Sequence, residues 1–156
     1  MAQWSSGSYP FGDLLALARQ SWIGELSRRL AAAGYPEYRR SDAAALRLLR
    51  HGPVPVGRLG TALGVTRQAA RKVADTLGQR GYAAVARDER DSRQLNVALT
   101  AAGQDYARAI TAVIDELNHE VRSRADPAAL AAADAVLRAA LFDDSSRRRA
   151  ARLPPP

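Results

Sequence analysis

The chain has 156 residues, 47% of them hydrophobic and 25% charged, with a net charge of +7 and no cysteine. That is the composition of a folded chain with room for one domain and an added helical layer, which excludes a disordered polymer. The lack of cysteine excludes a disulfide, a thiolate-held zinc or iron–sulfur centre and a thiol switch, while the basic balance favours a polyanionic partner.

Residues 1–12 are rich in Ser, Gly and Pro and read as a flexible arm. The opening MAQWSSGSYPFGD has neither the basic start nor the apolar centre of a secretory leader. No apolar run approaches the ~20 residues of a membrane span. A cytoplasmic, nucleoid-associated protein is the expectation. Asp13 is a candidate helix cap, and Leu15, Ala18, Trp22, Leu26 and Leu30 recur at helical spacing up to Gly34. Ser41 can cap a second helix with Ala45, Leu46 and Leu49 inward, which Gly52 and Pro53 stop. Pro55 suits the first position of a short third helix ending near Leu63 and Gly64.

Thr66 caps the fourth helix, whose inner face is Ala70, Val73, Ala74 and Leu77. Gly81 ends it. Tyr82–Val85 and the alternating segment Leu95–Thr100 read as two strands of a hairpin. Its tip, Arg87 to Arg93, holds no apolar residue. Thr100 then caps a long helix with Ala107, Ile110, Ile114, Leu117 and Val121 on one face. Asp126-Pro127 starts a last helix with Leu130, Leu137 and Leu141, and residues 143–156 read as a basic, disordered tail. The expected fold class is mainly α with a small β-hairpin wing. Two short helices joined by Gly64-Val65-Thr66 make a helix-turn-helix, and the hairpin behind them makes the wing.

The outward face of the fourth helix carries Arg67, Gln68, Arg71 and Lys72 in its first two turns, with Asp75 following. A recognition helix reads base edges mainly with its N-terminal residues, arginine matching guanine and glutamine matching adenine. The Thr66 hydroxyl, or its backbone N–H, can meet a phosphate at the helix N-terminus. A solvated helix face more often mixes Glu with Lys. Between Val56 and Arg93 stand eight basic residues and four acids, an excess of +4 against +7 for the whole chain. Of the 23 basic residues only Lys72 is a lysine, which looks like a genomic bias, but such a bias does not gather charge in one segment. In the wing, Arg90 can enter a narrow minor groove beside Arg93, and Asp91 is placed to orient an arginine.

From Val54 to Gly103 this pattern resembles the MarR family of bacterial transcriptional regulators, above all in Asp88-Glu89-Arg90-Asp91-Ser92-Arg93 followed by Leu99-Thr100-Ala101-Ala102-Gly103. It departs from the usual pattern at Gly60, Val85, Glu89 and Ser92. The flanking helices extend the resemblance to residues 13–142, with 54–103 as the winged helix-turn-helix and 13–33 and 104–142 as dimerisation helices. The resemblance implies a homodimer on double-stranded DNA, reading a pseudo-palindrome as a repressor. A small aromatic or phenolic effector would release it from a cleft that Trp22, Arg47 and His51 would line. Read alone, the apolar stripes on the flanking helices equally suit an intramolecular core. No catalytic residue, metal or cofactor is expected, because His51 and His119 lie far apart and no glycine-rich phosphate loop is present. The alternative is a MarR-like fold recruited as a small-molecule-binding protein or enzyme.

Overall fold

A computed structural model describes residues 10–87 and 94–151. The expectations placed on residues 1–9, on the hairpin tip and on the last five residues lie outside the described residues. The order is α1 (Phe11–Ala32), α2 (Arg40–Leu49), β1 (Val54–Pro55), α3 (Val56–Leu63), α4 (Arg67–Gln79), β2 (Ala83–Arg87), β3 (Leu95–Leu99), α5 (Ala101–Arg124), α6 (Pro127–Ala139) and α7 (Asp144–Ala150).

The strands form one antiparallel sheet with β3 between β1 and β2. Val97 is the pivot, opposite Val54 on one side and Val85 on the other, and it is fully buried. Strand β1 is not among the expected elements. Two residues, Val54 and a proline, show no period, and only the partner strand defines them.

The turn between α3 and α4 depends on backbone handedness. Gly64 closes α3 at φ 70°, in the left-handed region that glycine enters without steric cost. Val65 N then donates to Gly60 O at 3.0 Å. Thr66 caps α4, its hydroxyl oxygen accepting from Ala69 N at 3.2 Å. The buried face of α4 is Ala70, Ala74 and Leu77, with Val73 half-buried, as its period predicts.

Two apolar clusters share α2. Ala45 and Leu49 join Val56, Leu59, Ala70, Ala74, Leu77, Ala83 and Val97 beneath the helix-turn-helix. Leu46 joins Leu26, Leu30, Tyr106, Ala107, Ile110, Val113 and Leu117, where α1 and α5 meet. Tyr82 and Leu99 pack against both clusters, so the sheet and the long helix are one mechanical unit.

Six expectations need correction. The cap position of α2 is Arg39, with Ser41 inside the helix, and Pro55 occupies the cap position of α3 instead of its first helical position. Helix α1 begins at Phe11, and Asp13 lies in its first turn instead of capping it. An acid there still complements the helix dipole. The buried face of α5 runs through Tyr106, Ala107, Ile110, Val113 and Leu117, while Val121 is exposed. A face drawn by apolarity alone omits the tyrosine and so drifts off the buried side. Helix α6 has no buried residue, although it starts at Asp126-Pro127 as expected, with Asp126 accepting from Ala128 N at 2.8 Å as its cap. Finally, α7 forms within the segment that composition assigns to a disordered tail. Asp143 accepts from Ser146 N at 2.9 Å, and Arg147 Nε donates to Leu141 O at 2.9 Å. A local cap outweighs the basic composition.

The junction of hairpin and α5 explains the Leu99-Thr100-x-x-Gly103 sequence physically. Thr100 N donates to Tyr82 O at 3.1 Å, its hydroxyl donates to Gly81 O at 2.6 Å, and its oxygen accepts from Gly103 N at 3.0 Å. Gly103 presses directly on the Tyr82 carbonyl, and a Cβ there would overlap backbone atoms. Gly103→Ala is therefore expected to destabilise the fold by about 1–3 kcal/mol, as overpacking against rigid backbone does. Urea unfolding checks this, and wild-type stability in the variant would disprove the close approach.

Candidate nucleic-acid interface

Helix α4 presents Thr66, Arg67, Gln68 and Lys72 as exposed residues, with Arg71 half-exposed beside them. All five project from its cap and first two turns. Gln68 and Lys72 lie opposite the buried Ala70, Ala74 and Leu77, while Arg67 and Arg71 flank that buried face and stay accessible because they stand at the start of the helix. The Thr66 oxygen is engaged by Ala69 N, which leaves its O–H able to donate outward. Arg71 Nε donates to Asp75 Oδ1 at 2.7 Å and to Oδ2 at 3.0 Å.

A second group of residues extends this surface. Gly57 and Arg58 at the start of α3, Arg67 at the start of α4, and Gln94 at the foot of β3 line one open hollow. The first backbone N–H groups of α3 have no intrahelical acceptor, so they and two guanidinium groups make this corner electropositive. Sequence alone counts the charge of Arg58 but does not assign it to the site. A cation in the first turn of a helix that is otherwise core gives little periodic signal. Arg87 ends β2 on the exposed side. Arg90, Asp91 and Arg93 lie outside the described residues.

The three residues expected to line an effector cleft are not brought together. Arg47 lines a cleft of about 320 Å³ between α2 and α5, with Leu46, Arg50, Ile110, Thr111 and Asp115 among its neighbours. Trp22 packs half-buried against the α1–α2–α5 cluster. His51 is exposed and accepts from Arg50 Nε at 3.2 Å. Neither lines that cleft. Among the described residues, no group of His, Cys, Asp and Glu has the arrangement of a metal site, and no helix is long and apolar enough to cross a membrane.

No protein-family model and no curated protein sequence matches the chain. Solved structures do. A mutant MarR of E. coli, complexed with operator DNA, superposes with a TM-score of 0.69 at 19% identity, over 85% of this chain and 94% of that one. The BpsR structure from Bordetella bronchiseptica, which concerns regulation of its DNA binding by 6-hydroxynicotinic acid, gives 0.69 at 20% identity, over 92% and 100%. PcaV of Streptomyces coelicolor, a transcriptional regulator in complex with its natural ligand, gives 0.63 at 22% identity, over 88% and 95%. The chain has the MarR-type winged-helix fold.

Within this MarR-type fold, one buried polar cluster ties the recognition helix to the scaffold. Asp42, in the first turn of α2, is 1% exposed. Its Oδ2 accepts from Arg39 N at 3.0 Å, from Arg80 Nη1 at 2.7 Å and from Tyr106 Oη at 2.9 Å. Arg80 directly follows α4 and also donates through Nη2 to Glu37 O at 2.7 Å. Its guanidinium lies 5.0 Å from the Tyr82 ring centre and 5.5 Å from that of Tyr106. Tyr35, Tyr106 and Tyr82 stack in a row, with centres 4.8 and 4.5 Å apart. Burial, the largest single influence, disfavours the Arg80 charge, but the hydrogen bonds and charge interactions with Asp42 and Tyr106 together outweigh it and hold the guanidinium pKa above its ordinary value. Burial likewise pushes the Tyr106 hydroxyl up, so it remains a donor.

Sequence reading does not find this cluster. Asp42 reads as a first-turn acid, Arg80 as a basic residue at a helix end, and Tyr106 as one residue of an apolar face. Removing one partner of a buried ion pair leaves an uncompensated charge. Arg80→Met is expected to cost about 3–5 kcal/mol of unfolding free energy. Denaturant unfolding of both proteins measures it, and a cost near zero would mean that Asp42 is satisfied without Arg80.

Proposed function

We propose that this protein is a DNA-binding transcriptional regulator acting as a homodimeric repressor at a pseudo-palindromic operator, released by a small aromatic or phenolic ligand. The observation that carries the reading is the surface of α4: exposed Arg67, Gln68 and Lys72, capped by Thr66, on a helix held rigidly from behind. Arginine, glutamine and lysine in the first two turns suit the major groove. Gly57, Arg58, Arg67 and Gln94 suit the adjoining phosphates. Arg90 and Arg93 of the wing would continue the contact, oriented by Asp91.

The dimer reading is supported by apolar surface. Leu14, Leu15 and Leu17 of α1, Val121 of α5, Val136 and Leu137 of α6, and Phe142 are all exposed, Phe142 to 86%. A second copy covering these helices would bury them and set two recognition helices about 34 Å apart, one turn of duplex. The effector reading is supported by the cleft beside Arg47 and Arg50, which joins apolar walls to two cations, to Thr111 and to the Asp115 carboxylate. The solved MarR-type structures with bound DNA or ligand support both halves of the proposal by analogy of fold.

The test is a mobility-shift titration on the duplex flanking the protein's own gene, at low and moderate salt. Sequence-specific binding is expected, with affinity falling steeply as salt rises. Leu17→Glu is expected to leave a folded monomer in sedimentation and to lose most of that affinity. Absence of any preference over random duplex at low salt would refute the regulator, and a wild-type monomer would refute the dimer.

A further inference from the structure

The recognition face carries three cations, a glutamine and one acid. That acid, Asp75, is out of place on a surface meant for phosphate-rich duplex. It does not serve the core, since its side chain is 44% exposed, and its partner Arg71 is 43% exposed. Exposed ion pairs four residues apart add little to stability, so holding the helix together does not account for it.

We propose that Asp75 is a positioning residue for base reading: it holds Arg71 as a guanine reader, and the duplex sites this protein selects carry a guanine at that contact. The inference rests on the reading of α4 as the DNA-contacting helix, and deepens it by naming one base and the residue that enforces it.

The geometry divides the guanidinium in two. Arg71 Nε is consumed by both Asp75 oxygens, at 2.7 and 3.0 Å. Nη1 and Nη2 have no protein partner among the described residues. They form the outer edge of a planar fork, the edge that matches guanine O6 and N7. An unheld arginine loses much rotamer freedom when it binds a base, and the carboxylate has already taken part of that loss in the free protein. Arg67 and Lys72, which have no ion-pair partner among the described residues, remain free to follow phosphates of any sequence.

Asp75 has a second effect of the same sense. A carboxylate near the duplex repels phosphate and lowers affinity for every sequence alike. A regulator depends on the ratio of specific to non-specific binding. Fixing Arg71 raises the first, and the negative charge lowers the second.

The experiment is selection of binding sites from a random duplex library by the wild-type protein, Arg71→Ala, Arg71→Lys and Asp75→Asn, with circular dichroism confirming that each is folded. Wild type is expected to select a guanine in each half-site, preferred by about 5- to 100-fold. Arg71→Ala and Arg71→Lys should erase that preference at the same base pair, since lysine cannot present a planar fork. Asp75→Asn, which keeps the fork but loses the charge that holds it, should weaken the preference several-fold, while binding random duplex more tightly than wild type at low salt. A purely structural Asp75 would change melting temperature and leave the guanine preference unchanged. If Asp75→Asn or Arg71→Ala keeps the full wild-type preference, this inference falls and the regulator stands. If wild type selects no sequence, the regulator reading falls and takes this inference with it.

Discussion

The fold turns on a single carboxylate oxygen. Asp42 Oδ2 receives the backbone of the α2 start, the guanidinium that follows α4 and the hydroxyl of α5, all within 3.0 Å. These donors come from segments 38 and 64 residues away in sequence, as well as from Asp42's own turn. A carboxyl group at 1% exposure is tolerable only with such compensation. The stacked tyrosines close the remaining space and lay an aromatic face under the Arg80 charge. The node therefore specifies one relative arrangement of three helices, where apolar contacts alone would tolerate sliding.

That constraint decides what the rest of the surface can do. With the far end of α4 pinned at Arg80 and Ala70 seated in the core, the outer side of the N-terminal turns is left to present polar groups. The Gly103 contact on the Tyr82 carbonyl pins the hairpin to α5 at the same level. What is left unsatisfied is the opposite end of the molecule. The first half of α1 exposes Leu14, Leu15 and Leu17, and α6 exposes Val136 and Leu137, without cover among the described residues. Among the described residues one surface is thus apolar and the other cationic, and the two packed clusters lie between them. A displacement of α5 at Tyr106 is felt at the end of α4 through their shared Asp42 oxygen.

Local chemistry is legible in the sequence, and long-range chemistry is not. Thr66, Thr100 and Asp126 announce helix starts because a cap acts within three residues, and the structure has all three in place. The α4 period gives its buried and exposed faces directly, and with them the candidate interface. The hairpin is visible in the alternation of Leu95 to Leu99. Strand β1 is invisible because its identity comes from Val97 and Asn96 across the sheet. The face of α5 is misdrawn because Tyr106 counts as polar until its hydroxyl is known to meet Asp42. Helix α7 hides behind its basic composition because Asp143 looks like one more charge. The effector residues illustrate the same limit. Arg47 reaches a cleft, but proximity of Trp22 and His51 to it is a tertiary matter that no spacing encodes.

Native-state hydrogen exchange tests the central claim that the Asp42 node makes α2, α4 and α5 one cooperative unit. In the wild-type protein the slowest amides of α4, at Ala74 and Leu77, should exchange with the same free energy as those of α5 at Ile110, because neither helix opens without the other. In Tyr106→Phe, which removes one hydroxyl and keeps the ring, the α4 amides should exchange through a separate and cheaper opening while α5 stays protected. Wild-type α4 amides exchanging well below α5, or a variant in which both helices lose protection equally, would contradict the account.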